Sequence, residues 1–318
     1  MPLTTLGVGG AQFGNLFRET SDEESAAAID HAWNAGIRYF DTAPHYGLGL
    51  SERRMGEALR ERPREEYVLS SKAGRLLEPN PGGENALDDD GFIVPANVRR
   101  VWDFSRDGIR RSIFESLERL GVDRLDIAYL HDPDEQWATA STTGIEALRE
   151  LRDEGVVGAI GVGMNQAEMP VQFMLHCDID VVMLAGRYTL LDRTAERELL
   201  PIALDRGVAV VAAGVYNSGL LSSVKVPEDA RFNYAQAPAA LIEAARDMAA
   251  ICEEYGVTLP DAAVQFALRH PAVRSVVLGV RTVDHVQSSI ERASADLPED
   301  LWTRLDERAY ALAAERDR

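Results

Sequence analysis

The chain has 318 residues, with 33 Lys+Arg against 52 Asp+Glu and a formal charge of −19. That balance supplies no cationic stripe for a duplex and argues against nucleic acid as a partner. Its 46% apolar and 27% charged residues describe a globular protein with a large core. Two cysteines, Cys177 and Cys252, are too few for a disulfide framework or a Cys-based zinc module, and they predict a reducing compartment.

The first residues have neither a basic nor an apolar leader segment, and no run approaches 18 apolar residues, so a cytoplasmic protein without membrane contact is expected. A strand at 6–8 leads to a helix opened by a capping box, Ser21 with Glu24. Ala26, Ile29 and Trp33 mark its face and Gly36 its stop. Strands follow at 37–40 and 67–71. Residues 75–103, with Pro79 to Gly83 and Asp88 to Asp90, read as a turn-rich acidic insertion. A helix carrying Ile109, Ile113, Leu117 and Leu120 stops at Gly121, and another carrying Ile145, Leu148 and Leu151 stops at Gly155. Strands at 125–130, 157–162, 180–184, 208–213 and 275–278 complete the set. A second insertion spans 215–238, a helix runs over about 239–255, and Pro298, Leu301, Leu305 and Ala309 outline a last helix.

Eight strands, most of them separated by a βαβ unit of roughly 30 residues, predict an α/β fold: a (β/α)8 TIM barrel with long loops at its C-terminal face. No linker, low-complexity tract or longer repeat divides the chain, so residues 1–318 read as a single domain.

The glycine clusters at Gly7, Gly47 and Gly161 all lack the third glycine of G-x-G-x-x-G, and no Gly-Lys-Ser/Thr or G-x-S-x-G occurs. Six histidines never adopt His-x-His or His-Glu-x-x-His spacing, so no metal site is expected. What remains is ionisable residues at strand C-termini, where barrel catalysis resides: Asp41, Lys72 and His131, with Tyr46 five residues beyond the first. Lys72 and Lys225 are the only lysines, the other 31 basic residues being arginine. A central-strand lysine in such a chain points to the property arginine lacks, a pKa that moves on burial. Tyrosine, with a pKa near 10, becomes a usable base beside an ammonium. Asp41 would hold Lys72 charged, and neutral His131 would relay a proton or orient a hydroxyl. With no strong nucleophile or metal, the set best accommodates hydride transfer to an external cofactor.

Residues 36–47 (Gly-Ile-Arg-Tyr-Phe-Asp-Thr-Ala-Pro-His-Tyr-Gly) followed by Ser51 to Gly56, the run Leu69 to Ala73, and Tyr129 to Pro133 resemble the signatures of the aldo-keto reductases. The resemblance extends over nearly the whole chain. It implies a tetrad of Asp41, Tyr46, Lys72 and His131 with Tyr46 as general acid or base, and an extended NAD or NADP. The carboxamide would lie at Asn165, the loop Gly214, Val215, Tyr216, Asn217 and Ser218 would follow the cofactor, and Gly279, Arg281 and His285 would hold the adenosine end. Arg281 either faces a 2′-phosphate or answers Asp284 at the surface.

Departures from the family pattern at Gly163, Ala185 and 213–216 resemble a branch of aldose dehydrogenases. These oxidise C1 of L-fucose or D-threo-type sugars to the lactone, with a pyridoxal 4-dehydrogenase as cousin. The implied substrate pocket draws on Phe13, His45, Trp102 and Asp132, for a sugar or aldehyde bound by a monomer or homodimer. The alternatives are an NADPH-dependent aldehyde or ketone reductase and a regulatory subunit resembling potassium-channel β subunits. The −19 charge and the lack of an apolar stripe weigh against the latter.

Overall fold

The computed structural model describes residues 2–233 and 235–316. Eight strands form a closed barrel: β1 (Leu6–Gly9), β2 (Tyr39–Asp41), β3 (Val68–Ala73), β4 (Leu125–His131), β5 (Val157–Met164), β6 (Val181–Ala185), β7 (Ala209–Ala213) and β8 (Val273–Gly279). Each pairs in parallel with its sequence neighbours, and β1 closes the ring on β8. All eight lie where the sequence places them.

The period of two along each strand decides what the barrel holds. Tyr39, Val68, Ile127, Tyr129, Val181, Met183, Val211 and Val277 point inward and form the interior cluster. Their neighbours Phe40, Leu69, Ala128 and Leu130 point outward and pack beneath the helices. Two residues beyond Tyr39 the inward position is Asp41; four beyond Val68 it is Lys72; two beyond Tyr129 it is His131. The register aligns Asp41 with Ser70 and Lys72 with Tyr129, so these ends meet at one height.

The first helix, Asp22–Asn34, carries the expected reciprocal capping box: Glu24 N–H donates to Ser21 Oγ at 3.1 Å, and Ser21 N–H to Glu24 Oε2 at 2.9 Å. Such a cap contributes about 1 kcal/mol. No described helix is long and apolar enough to cross a membrane.

The insertion at 75–103, turn-rich and acidic in sequence, is folded. Arg75–Pro79 pairs antiparallel with Val98–Trp102. The connecting segment docks on the loop after β1: Phe17 N–H donates to Gly91 O at 2.8 Å and Ile93 N–H to Asn15 O at 3.0 Å. The acidic run is partly internal, since Arg100 donates to both oxygens of Asp88, at 2.5 and 3.0 Å. The insertion is therefore a structured wall at the C-terminal mouth.

Candidate active site

Inside the barrel the Tyr39 and Tyr129 hydroxyls lie 3.1 Å apart, and burial pushes both phenols well above the ordinary tyrosine value. They form a neutral floor. Above them Ser70 Oγ donates to Asp41 Oδ1 at 2.7 Å, and Lys72 Nζ donates to Asp41 Oδ2 at 2.7 Å and to Thr42 O at 2.9 Å. The Asp41 and Lys72 side chains are each 3% exposed. Burial alone would lower the amine's pKa, but the charges of Asp41 and Tyr46 and hydrogen bonds to both outweigh it, so Lys72 is held above its ordinary value and charged.

Tyr46 sits in the tight turn after β2, its N–H donating to Ala43 O at 3.1 Å. The turn is pinned by glycines back to back. A Cβ on Gly47, at φ +63°, would lie 2.3 Å from Gly14 O, and one on Gly14 would lie 2.5 Å from the Tyr46 carbonyl carbon. Only glycine fits either place. The Lys72 ammonium ends 4.7 Å from the Tyr46 ring centre.

Against Tyr46 stands His131, the rings 6.0 Å apart at 87°, and against both stands His45, 5.5 Å from His131. Phe92, from the insertion, closes the far side at 5.2 Å from His45. Burial, then the charge of Arg75, drives His131 well below the usual imidazole value; the same two causes push His45 down to about 2. Both rings are neutral at working pH.

Above pH 6.5 neither the folded nor the unfolded chain protonates these rings, and below it only the unfolded chain does, so stability falls on acidification. At pH 5.5 each ring is expected to cost about 1.4 kcal/mol. Urea denaturation of the parent and His45→Gln at pH 7.5 and 5.5 checks it: the variant should lose less stability by about that amount, and equal losses would contradict the assignment.

Asp132 follows His131 with φ +43°, an unusual conformation for a non-glycine residue. Its Oδ2 lies 3.6 Å from His131 Nε2 and accepts from Arg75 Nη2 at 2.5 Å. The Arg75 guanidinium carbon lies 4.2 Å from the Trp102 ring centre, and Trp102 stacks on Phe104. Trp102 and His45 thus join Asp132 at the mouth. Phe13, expected in the substrate pocket, does not: it is fully buried in the main core, on a turn whose carbonyl accepts from Arg54 at 2.7 Å.

Of the residues expected to meet a cofactor, Asn165, Gly214, Ser218, Gly279 and His285 lie exposed near the C-terminal ends of β5, β7 and β8. The buried Gln12 Oε1, which lacks a hydrogen-bond partner, belongs to a side chain packed against Gly279. Four others face the protein instead. Val215 is core. The Tyr216 hydroxyl accepts from Arg292 Nη1 at 2.8 Å. Asn217 is buried, accepting from Thr189 Oγ1 at 2.7 Å and donating to Gly186 O at 3.2 Å. Arg281, expected at a phosphate or beside Asp284, is 5% exposed and clasps the loop after β1, donating to Leu16 O at 2.7 Å, Arg18 O at 2.9 Å and the Thr20 hydroxyl.

The sequence reading missed Arg75, Phe92 and Arg100, all supplied by the insertion, and also Glu52. The Glu52 carboxylate is fully buried, accepting from Ser71 Oγ at 2.7 Å and Arg119 Nε at 2.5 Å, which fastens the outer side of β3 behind Lys72. The one available signal was Arg99 and Arg100 opposite the run Asp88 to Asp90, a charge match within one insertion.

Fold and site define a barrel enzyme whose ionisable groups converge at the C-terminal mouth. The chain belongs to the aldo/keto reductase family, whose model matches residues 5–309. It is 47% identical to a D-threo-aldose 1-dehydrogenase of a Pseudomonas species, over 96% of this chain and 94% of that one. It is 39% identical to the pyridoxal 4-dehydrogenase of Microbacterium luteolum, with the same coverages. Among solved structures, the holo form of aldo-keto reductase AKR11C1 from Bacillus halodurans superposes with a TM-score of 0.76 at 26% identity, covering 96% of this chain and 92% of the other. The protein is an oxidoreductase of nicotinamide-dependent type that acts on a small molecule.

Proposed function

We propose that the protein oxidises the C1 hydroxyl of an aldose of L-fucose or D-threo type to the lactone, with Tyr46 as general base. The observation that carries this reading is the chain Asp41–Lys72–Tyr46 ending beside neutral His131, with Asp132 at 3.6 Å from the imidazole. The 47% identity to a D-threo-aldose 1-dehydrogenase supports the substrate class. The Lys72 ammonium favours a phenolate at Tyr46, which takes the proton of the C1 hydroxyl. His131, kept neutral, orients that oxygen. A bound nicotinamide supplies the acceptor for the hydride that leaves C1. As the O–H and C–H bonds break, the carbonyl of the lactone forms.

Asn165, Gly214, Ser218, Gly279 and His285 would line the cofactor, and the unpaired Gln12 Oε1 suits a hydrogen-bond donor there. The commitment of Arg281 to the loop after β1 favours NAD over NADP. Two unpaired cysteines, Cys177 and Cys252, support a reducing, cytoplasmic setting.

The test is a panel of L-fucose, D-arabinose, pyridoxal and benzaldehyde with NAD(H) and NADP(H), followed at the nicotinamide absorbance. Aldose oxidation is the expected result. Turnover of pyridoxal alone would favour a second reading, for which the aromatic wall of His45, Phe92 and Trp102 and the 39% relative speak. Reduction of benzaldehyde without aldose oxidation would sink the proposal. Within the panel, Asp132→Ala is expected to lower kcat/KM for an aldose by about 1.5 to 3 kcal/mol, the worth of a hydrogen bond to a charged group.

A further inference from the structure

Arg75 touches both a polar and an aromatic member of the rim, Asp132 and Trp102. It follows Lys72 by three residues, yet it stands over the mouth and not inside the barrel. Gly74 makes the turn: its φ is +103°, and a Cβ there would lie 2.3 Å from the Phe104 ring. The chain leaves β3 into the hairpin, where Arg75 is paired directly across from Trp102. That register lays the guanidinium on the indole, 4.2 Å from its centre, with 11% of the side chain exposed. From there Nη2 reaches Asp132 Oδ2 at 2.5 Å.

The carboxylate is thus fixed from two sides, by a guanidinium that is itself clamped and by a backbone at φ +43°. Backbone conformations of that kind persist where surrounding structure enforces them, and they gather at ligand sites. The fixed oxygen lies 3.6 Å from His131 Nε2. Two polar atoms so spaced address two substrate oxygens that are about a hydrogen-bond length apart, the separation of oxygens on adjacent carbons.

Resting on the aldose reading above, we propose that Asp132 reads the hydroxyl on the carbon next to the reacting one, and that Arg75 is the positioning residue that holds it there. The substrate class narrows accordingly to sugars with a free C2 hydroxyl. His131 takes the C1 oxygen, Asp132 accepts from the C2 hydroxyl, and Arg75 keeps the carboxylate aimed. Trp102, 46% exposed, offers its remaining surface to the sugar's C–H face. An aldose lacking that hydroxyl leaves Asp132 with an unanswered acceptor in a half-buried site, which costs binding in the transition state as well as the ground state.

D-Arabinose and 2-deoxy-D-ribose differ only by the C2 hydroxyl, so they isolate the contact. The wild-type enzyme is expected to prefer D-arabinose in kcat/KM by roughly 10- to 100-fold. In Arg75→Gln that preference should shrink to within about threefold, because a misaimed carboxylate no longer tells the two sugars apart, and Asp132→Asn should shrink it as well. Arg75→Lys, which keeps the charge but not the planar fork, should restore part of it. Thermal melts establish that each variant is folded, and the Asp132→Asn ratio decides the matter if Arg75→Gln is not. Equal turnover of the two sugars by wild type, or an Arg75→Gln enzyme that loses both in proportion, overturns this inference alone. Inactivity of wild type on both sugars, with benzaldehyde reduced, overturns the aldose reading and this inference with it.

Discussion

Tyr46→Phe is expected to lower kcat for aldose oxidation by at least about 10²-fold, the scale on which a positioned proton-transfer group contributes, while leaving the fold unchanged. The ring's surroundings explain the second half. His131, His45 and Phe92 meet the Tyr46 ring at centroid distances of 6.0, 5.9 and 6.2 Å, and the Lys72 ammonium lies 4.7 Å from it. All of these contacts survive in phenylalanine. What disappears is the oxygen that Lys72 serves. The measurements are single-turnover rates at saturating sugar, cofactor binding by quenching of intrinsic fluorescence, and a thermal melt. A large fall in the chemical step with unchanged binding and melting is the expected pattern, and turnover within a few-fold of wild type would remove Tyr46 from the mechanism.

The parts of this site that were legible in the sequence are those fixed by strand periodicity. Asp41, Lys72 and His131 end strands whose alternation is unambiguous, so parity alone turns them into the barrel, and the register then brings them together. Arg75 and Phe92 were not legible because they belong to a hairpin whose pairing is set by tertiary docking. Its strands alternate weakly, and its Pro and Gly residues read locally as turns. Arg281 and Asn217 show the opposite failure. Each occupies a loop where a ligand contact is expected, but a polar side chain in a loop serves a neighbouring loop's carbonyls equally well, and only the structure distinguishes the two.

Lys72→Met is expected to have the larger effect on stability. Replacing the lysine leaves Asp41 buried without its counter-ion, retaining only Ser70 as a donor, and breaking a buried pair from one side costs about 3 to 5 kcal/mol. Its pH dependence carries a definite sign. Burial raises the Asp41 pKa, and in the wild type Lys72 is the largest influence opposing that rise. Without Lys72 the folded-state value climbs further above the unfolded one. Between the two values the native state binds a proton that the unfolded chain does not, so the variant gains stability as pH falls. The deficit against wild type should therefore be largest near pH 8 and shrink toward pH 5, as read by urea denaturation. The double variant Asp41→Leu/Lys72→Met removes both charges and should recover much of the stability, because a buried pair exchanged for apolar groups of similar volume is often neutral. It should recover none of the activity, since Tyr46 still lacks its ammonium. A deficit that stays constant with pH would mean that Asp41 is not the stranded charge, and activity restored in the double variant would show that Lys72 serves the fold and not the chemistry.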